Sequence, residues 1–140
     1  MLSNLLQIFL GVFLLILTTI PASADLLQLT HNANSDVSPR IENGQIVWQG
    51  HDGHDNEIFF WDGATTKQLT NNSYDDSAPQ IHNGQVVWQG SDGDDNEIFF
   101  WDGTTTKQLT NNSYNDYAPQ IHIGQVVWWG WDGTDNEIFF

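Results

Sequence analysis

Residues 67–106 and 107–140 carry nearly the same sequence at an offset of 40 positions, and residues 27–66 are a more diverged copy. Gln68-Leu69-Thr70 returns as Gln108-Leu109-Thr110, and Glu97-Ile98-Phe99-Phe100 returns as Glu137-Ile138-Phe139-Phe140. A fixed period of this length, carrying short strands and turns, is typical of architectures in which each repeat is one supersecondary unit and neighbouring units stack. The chain must therefore fold as a small array of similar units.

One repeat contains four strand patterns separated by turn residues. The predicted strands of the second copy are Ala78–His82, Gln85–Gln89, Glu97–Trp101 and Thr105–Thr110. Asn83-Gly84 suits a two-residue hairpin turn, residues 90–96 form a loop by composition, and Asp102-Gly103 is a further turn. Each repeat is thus predicted to be a four-stranded antiparallel meander.

The apolar residues of the second and third strands are consecutive, as in Val86-Val87-Trp88 and Ile98-Phe99-Phe100-Trp101. Successive side chains of a strand point to opposite faces, so both faces of these strands are apolar. Blades stacked around an axis cover both faces of each sheet, whereas a two-layer sandwich covers one. The prediction is an all-β chain of β-propeller blades, preceded by an N-terminal signal-peptide helix.

The blades are expected at about 36–70, 76–110 and 116–140, and the last blade lacks its fourth strand. Residues 26–30 resemble a displaced fourth strand, because Leu29 lies 40 positions before Leu69. Three blades are fewer than the roughly four to eight of typical propellers. We therefore expect an incomplete ring that is a fragment of a longer propeller, with a homo-oligomer as the alternative if this is the full chain.

The chain carries 18 acidic residues against 3 basic ones, for a formal net charge of −15. Nothing in it could neutralise phosphates, so nucleic acid is excluded as a partner, and an anionic membrane surface is disfavoured for the same reason. The compatible partners are cations, a basic protein surface or another polymeric ligand. Solubility alone is the alternative explanation of the charge.

The N-terminus reads as a signal peptide. Residues 5–20 are almost entirely apolar, and Pro21 and Ala22-Ser23-Ala24 follow, so cleavage after Ala24 is predicted. An uncleaved anchor is the alternative, because no Lys or Arg precedes the apolar run. The mature protein, residues 25–140, is expected to be secreted or periplasmic, and it has no cysteine with which to form disulfides.

Strand polarity brings the loops between second and third strands and the links between blades to one end of the array. The candidate binding residues there are Asp52, Asp55, Glu57, Asp92, Asp94, Asp95, Glu97, Asp132, Asp135 and Glu137. Carboxylates on Gly-containing loops are the ligands that calcium prefers. Asp, Asn and Gly are also the residues that turns select. We therefore expect no cofactor, with calcium as the alternative.

The histidines support weaker alternatives. His51 and His54 lie on one such loop, but both positions differ in the other copies, which disfavours zinc. His82 and His122 fall on first strands, with Glu42 as their counterpart, and either line a channel or form structural hydrogen bonds. No Ser lies in a nucleophile-elbow context, so an enzyme is the disfavoured class.

These residues resemble the TolB-type, WD-repeat-like propeller repeat. The matching runs are Gln68-Leu69-Thr70, Asp76-Ser77-Ala78-Pro79 and residues 92–99, and the resemblance covers residues 27–140. The family's usual Ser-Pro-Asp-Gly turn is replaced here by Ile81-His82-Asn83-Gly84, and the Arg often found after the second strand is missing. The resemblance implies a propeller fold and a binding scaffold without catalysis.

Three functions follow from these observations. The first is an exported, non-catalytic propeller that binds a protein or polymeric ligand through its loop-lined end. The second is a calcium-dependent or lectin-like surface module. The third is the propeller portion of a hydrolase or lyase whose catalytic residues lie outside this chain.

Overall fold

A computed structural model describes residues 26–140, and the signal-peptide prediction for residues 1–24 lies outside them. The first sheet contains β1 (Asp36–Glu42), β2 (Gln45–His51), β3 (Asn56–Trp61) and β4 (Thr66–Gln68). The second contains β5 (Asp76–His82), β6 (Gln85–Ser91), β7 (Asn96–Trp101) and β8 (Thr106–Gln108). The third contains β9 (Asp116–His122), β10 (Gln125–Trp131) and β11 (Asn136–Phe139).

Every pair of neighbouring strands is antiparallel, and each sheet follows chain order. The all-β fold of stacked, four-stranded propeller blades in an incomplete ring is therefore confirmed, with three strands in the last described sheet. We call the three sheets blades 1, 2 and 3. The described residues contain no helix of the length and apolarity that a membrane span requires.

The core lies between blades, as expected for strands with two apolar faces. Val47, Ile58 and Phe60 of blade 1 pack against one face of blade 2, where they meet a cluster of Val86, Trp88 and Trp101. Blade 2 uses its other face in the same way against blade 3, because Val87 and Ile98 are also fully buried. The apolar side chains are therefore buried by the stacking of one blade on the next, and not by a two-layer sandwich.

Several strand boundaries of blade 2 differ from the sequence-based prediction. The first strand begins at Asp76 instead of Ala78, the third at Asn96 instead of Glu97, and the fourth at Thr106 instead of Thr105. The second strand of blade 2 runs to Ser91, so the following loop is shorter than residues 90–96. The fourth strand ends at Gln108 instead of Thr110. It ends there because the Thr110 hydroxyl, 2.9 Å from Ile98 N, accepts the hydrogen bond that a further ladder residue would accept. The Asn83-Gly84 turn is confirmed, since both residues have positive φ, 49° and 74°.

Residues 26–30 form no strand in the described chain. Leu29 instead lines a groove on the free face of blade 1, beside Val37, Pro39, Ile46 and Trp48. The idea that this segment completes the last blade of a ring stays a prediction.

Candidate functional site

The loops between second and third strands and the links between blades lie at one end of the array, which we call the acidic face. In the described chain, Glu42, Asp62 and Asp102 are at the opposite end, where the β1–β2 and third-to-fourth strand turns lie. All other acidic residues of the described chain are in or next to the acidic face, including every candidate binding residue named above. The negative charge is therefore concentrated at one end of the protein.

The first aspartate of each loop shapes the loop. Asp52 Oδ1 accepts from His54 N at 2.8 Å, and Asp132 Oδ1 accepts from Thr134 N at 2.7 Å. The His54 N–H lowers the pKa of Asp52, and the N–H groups of Asp135 and then Thr134 lower the pKa of Asp132. Asp92 makes the same contact with Asp94 N at 3.1 Å. Asp52, Asp92 and Asp132 are thus ionised turn-formers, and Asp94 is an exposed residue of the blade 2 loop.

The loop of one blade is tied to the link that leads to the next blade. The backbone N and the side-chain Nδ2 of Asn56 both donate to Asp75 Oδ1, at 2.9 and 2.8 Å. Asn96 makes the same pair of bonds to Asn115 Oδ1, both at 2.9 Å. These bonds hold the carboxylates of neighbouring blades in a fixed arrangement at the acidic face.

Two of the predicted binding residues, Glu57 and Glu97, are fully buried. Glu57 Oε1 accepts from Asn72 N at 2.8 Å. Glu97 accepts from Asn112 N at 2.7 Å and from the Thr110 hydroxyl. Burial raises the pKa of Glu97, and the charge of Asp116 adds to the rise. These two glutamates therefore fasten the link between blades, while their counterpart Glu137 is exposed.

A carboxylate on the first strand of each repeat was missed by sequence reasoning: Asp76 and Asp116 are buried, and Asp36 is half-buried. Trp88 Nε1 donates to Asp76 Oδ1 at 2.8 Å, and Asn72 Nδ2 donates to Asp76 Oδ2 at 2.6 Å. Burial raises the pKa of Asp76 to about 7, the two donors oppose the rise, and the nearby charge of Glu57 adds to it. Trp48 and Trp128 make the same bond to Asp36 and Asp116, at 3.0 Å. The signal in the sequence was an Asp always 12 residues before a Trp.

The candidate carboxylates gather into one triad per blade. In each triad, one ligand oxygen per residue lies within 4.8 Å of the other two. The triads are Asp52, Asp55 and Glu57 in blade 1, Asp92, Asp95 and Glu97 in blade 2, and Asp132, Asp135 and Glu137 in blade 3. The first two are partly buried and the third is exposed. Burial raises the pKa of Asp95 in the second triad. The structure thus brings together all the candidate residues except Asp94.

His51 and His54 lie in or next to the loop of the first triad, but neither belongs to the cluster of close carboxylate oxygens. His51 Nδ1 accepts from Gly53 N at 3.0 Å, a local contact within its own loop. At the opposite end, the rings of His82 and His122 are 4.6 Å apart, and His82 Nδ1 is 2.8 Å from Glu42 Oε1. Equivalent positions of the three first strands therefore touch, which fits both the channel-lining and the structural interpretation of these residues.

No family model matches the chain, and no curated protein matches it. Its fold is similar to the β-propeller domain of the trilobed protease from Pyrococcus furiosus, which has an open velcro topology. The TM-score is 0.60, with 17% identity over 68% of this chain and 31% of that chain. An acylaminoacyl peptidase from Pyrococcus horikoshii matches with a TM-score of 0.53 and 14% identity, over 68% of this chain and 18% of that chain. At such identities the likeness shows the propeller fold.

Proposed function

We propose that this chain is a non-catalytic β-propeller segment of an exported protein, and that it binds a basic protein or polymeric ligand through the acidic face. The observation that carries the proposal is the concentration of carboxylates at one end of the array. A surface of one charge sign raises the local concentration of oppositely charged partners and accelerates their association.

The hydrogen bonds at the acidic face support a binding role. The Asn56–Asp75 and Asn96–Asn115 contacts hold the loops to the links, so the carboxylates are arranged before a ligand arrives. A surface that is already ordered loses little conformational entropy on binding. The exported location is inferred from the apolar N-terminal run, and the TolB-type likeness of the repeats favours a scaffold of this kind.

The proposal is tested with a lysine homopolymer as the probe and the 140-residue chain as the receptor. In the test variant, Asp75→Asn with Asp94→Thr, both new residues are those that blade 3 carries at the equivalent positions, Asn115 and Thr134. Two charges are thus removed from the acidic face by residues that this fold already accepts. We expect about a tenfold loss of affinity at low salt, at roughly 0.2–1 kcal/mol for each exposed charge pair.

The control variant, Glu42→Gln with Asp62→Asn, removes two charges from the opposite end. Its net charge equals that of the test variant, so any difference between the two reports where the charge is located. We expect the control to bind the polymer nearly as tightly as the unaltered chain. Equal losses in both variants would show that net charge alone attracts the polymer and would overturn the proposal.

A second candidate function is the propeller portion of a hydrolase. It is favoured by the two structural neighbours, the β-propeller domain of a protease and an acylaminoacyl peptidase, of whose chains this chain spans 31% and 18%. A hydrolase domain encoded in the same reading frame would support this candidate. A frame containing further blades alone would favour the scaffold.

A further inference from the structure

Three buried carboxylate oxygens of the acidic face have no hydrogen-bond partner. They are Asp55 Oδ1 and Glu57 Oε2 in the first triad and Asp95 Oδ1 in the second. Glu57 is fully buried, and its other oxygen already accepts from Asn72 N. A buried carboxylate oxygen without a donor is unfavourable, because it has lost its hydrogen bonds to water and accepts none from the protein.

The Lys and Arg side chains of the described residues are placed elsewhere. Arg40 donates to Gln80 and to a backbone oxygen on the first strands. Lys67 Nζ lies over the Trp101 ring, and Lys107 is exposed on the fourth strand of blade 2. Within residues 26–140, the one ion pair is His82–Glu42 at the opposite end. Within the described residues, therefore, none of these Lys or Arg side chains pairs with the first triad.

The first triad has the form of a cation site. Asp52 is exposed, Asp55 is half-buried and Glu57 is buried, so the cluster joins a carboxylate in solvent to one inside the fold. Hard cations such as calcium take carboxylate and backbone oxygens on flexible loops and complete their coordination with water. Gly53, at a φ of 119°, provides a tight turn within this loop.

We propose that Asp52, Asp55 and Glu57 bind a calcium ion at the acidic face of blade 1. The ion would supply positive charge to both orphaned oxygens, Asp55 Oδ1 and Glu57 Oε2. In blade 2 the Thr110 hydroxyl satisfies Glu97 Oε2, which leaves one orphaned oxygen in that triad. Blade 1 is therefore the stronger site. This inference concerns a small ion and does not depend on the macromolecular ligand proposed above.

The test compares Asp55→Asn in the first triad with Asp135→Asn at the equivalent position of the exposed third triad. Calcium binding is measured by calorimetry on the 140-residue chain after treatment with a chelator. We expect Asp55→Asn to weaken calcium binding at least tenfold and Asp135→Asn to leave it unchanged. Asn keeps the shape of the side chain, and the backbone bond from Asp52 N to Asp55 O does not need the carboxylate.

Thermal unfolding provides the second readout and confirms that each variant folds in the chelator. Calcium should raise the Tm of the unaltered chain more than magnesium does at the same ionic strength, and Asp55→Asn should lose that difference. Glu57→Gln should lose it as well. Equal effects of the two ions on the unaltered chain, or equal calcium affinity in the Asp55→Asn and Asp135→Asn variants, would overturn the proposal.

Discussion

Blades 2 and 3 have nearly the same sequence and very different surroundings. Ile98 of blade 2 is fully buried, whereas Ile138, its counterpart 40 positions later, is 73% exposed. Glu97 and Glu137 differ in the same way. The blade's own sequence specifies its strands and turns, but burial depends on the neighbouring blade. This is the behaviour of a repeat array in which each unit contacts only its neighbours.

The largest expected effect comes from shortening the same isoleucine in the two blades. Ile98→Ala should lower the free energy of unfolding by about 2–5 kcal/mol, because it leaves a cavity between covered sheets. Ile138→Ala should change it by less than about 0.5 kcal/mol, because the side chain is mostly in solvent. Urea denaturation of both variants measures the difference.

The control is the slope of the free energy against urea concentration, which should be the same in both variants. Similar losses of unfolding free energy in the two variants would contradict the difference in burial between blades 2 and 3. They would mean that a further element covers blade 3 in solution.

The fold could be predicted from the sequence because its determinants are local and repeated. The turn at Asn83-Gly84 and the apolar run of Ile98, Phe99 and Phe100 define strands in any context, and the 40-residue period adds the stacking. Consecutive apolar residues indicated two covered faces, and the buried cluster between blades 1 and 2 confirms that inference.

The roles of the acidic residues could not be predicted equally well, because burial depends on the partner blade. Glu97 lies at the edge of an Asp- and Gly-rich loop, and the composition of that loop indicates an exposed residue. The structure buries it, because the link to blade 3 passes over it and supplies the Asn112 N–H and the Thr110 hydroxyl. Asp76 is hidden in the same way by Trp88, 12 residues away. A three-dimensional contact between distant residues determines both outcomes.

The two free blade faces should associate with each other. Ile41 is exposed on blade 1, at the position where Ile81 of blade 2 packs against the core of blade 1. Ile138 is exposed on blade 3, at the position of the buried Ile58 and Ile98. A head-to-tail contact between copies would reproduce the internal interface. We expect Ile41→Ser and Ile138→Ser each to weaken self-association of residues 25–140 at least tenfold, at about 1.5–3 kcal/mol per buried side chain.

Mixing the two variants distinguishes this contact from a symmetric one. Each variant keeps one intact face, so an equimolar mixture should form a heterodimer in sedimentation experiments while neither variant associates alone. Association of the Ile41→Ser variant by itself, unchanged by mixing, would contradict head-to-tail pairing. A stable monomer of the unaltered residues 25–140 would contradict association altogether.

The smallest expected effect concerns the turn between the first and second strands of each blade. The conformation of this turn is local and does not depend on whether a neighbouring blade covers the sheet. Asn43, Asn83 and Ile123 occupy the same turn position with φ of 49°, 49° and 48°. A left-handed conformation costs most L-residues roughly 1–2 kcal/mol, and Asn tolerates it better than a β-branched residue does. Because the Ile123 side chain is mostly exposed, its removal sacrifices little apolar burial. We therefore expect Ile123→Asn to stabilise the protein by about 1 kcal/mol and Asn83→Ile to destabilise it by a similar amount, measured by urea denaturation. If the two substitutions change the free energy of unfolding by similar amounts in opposite directions, the turn acts alike in a covered and an exposed blade. If Ile123→Asn does not stabilise the protein, the isoleucine makes a contact in solution that offsets its backbone strain.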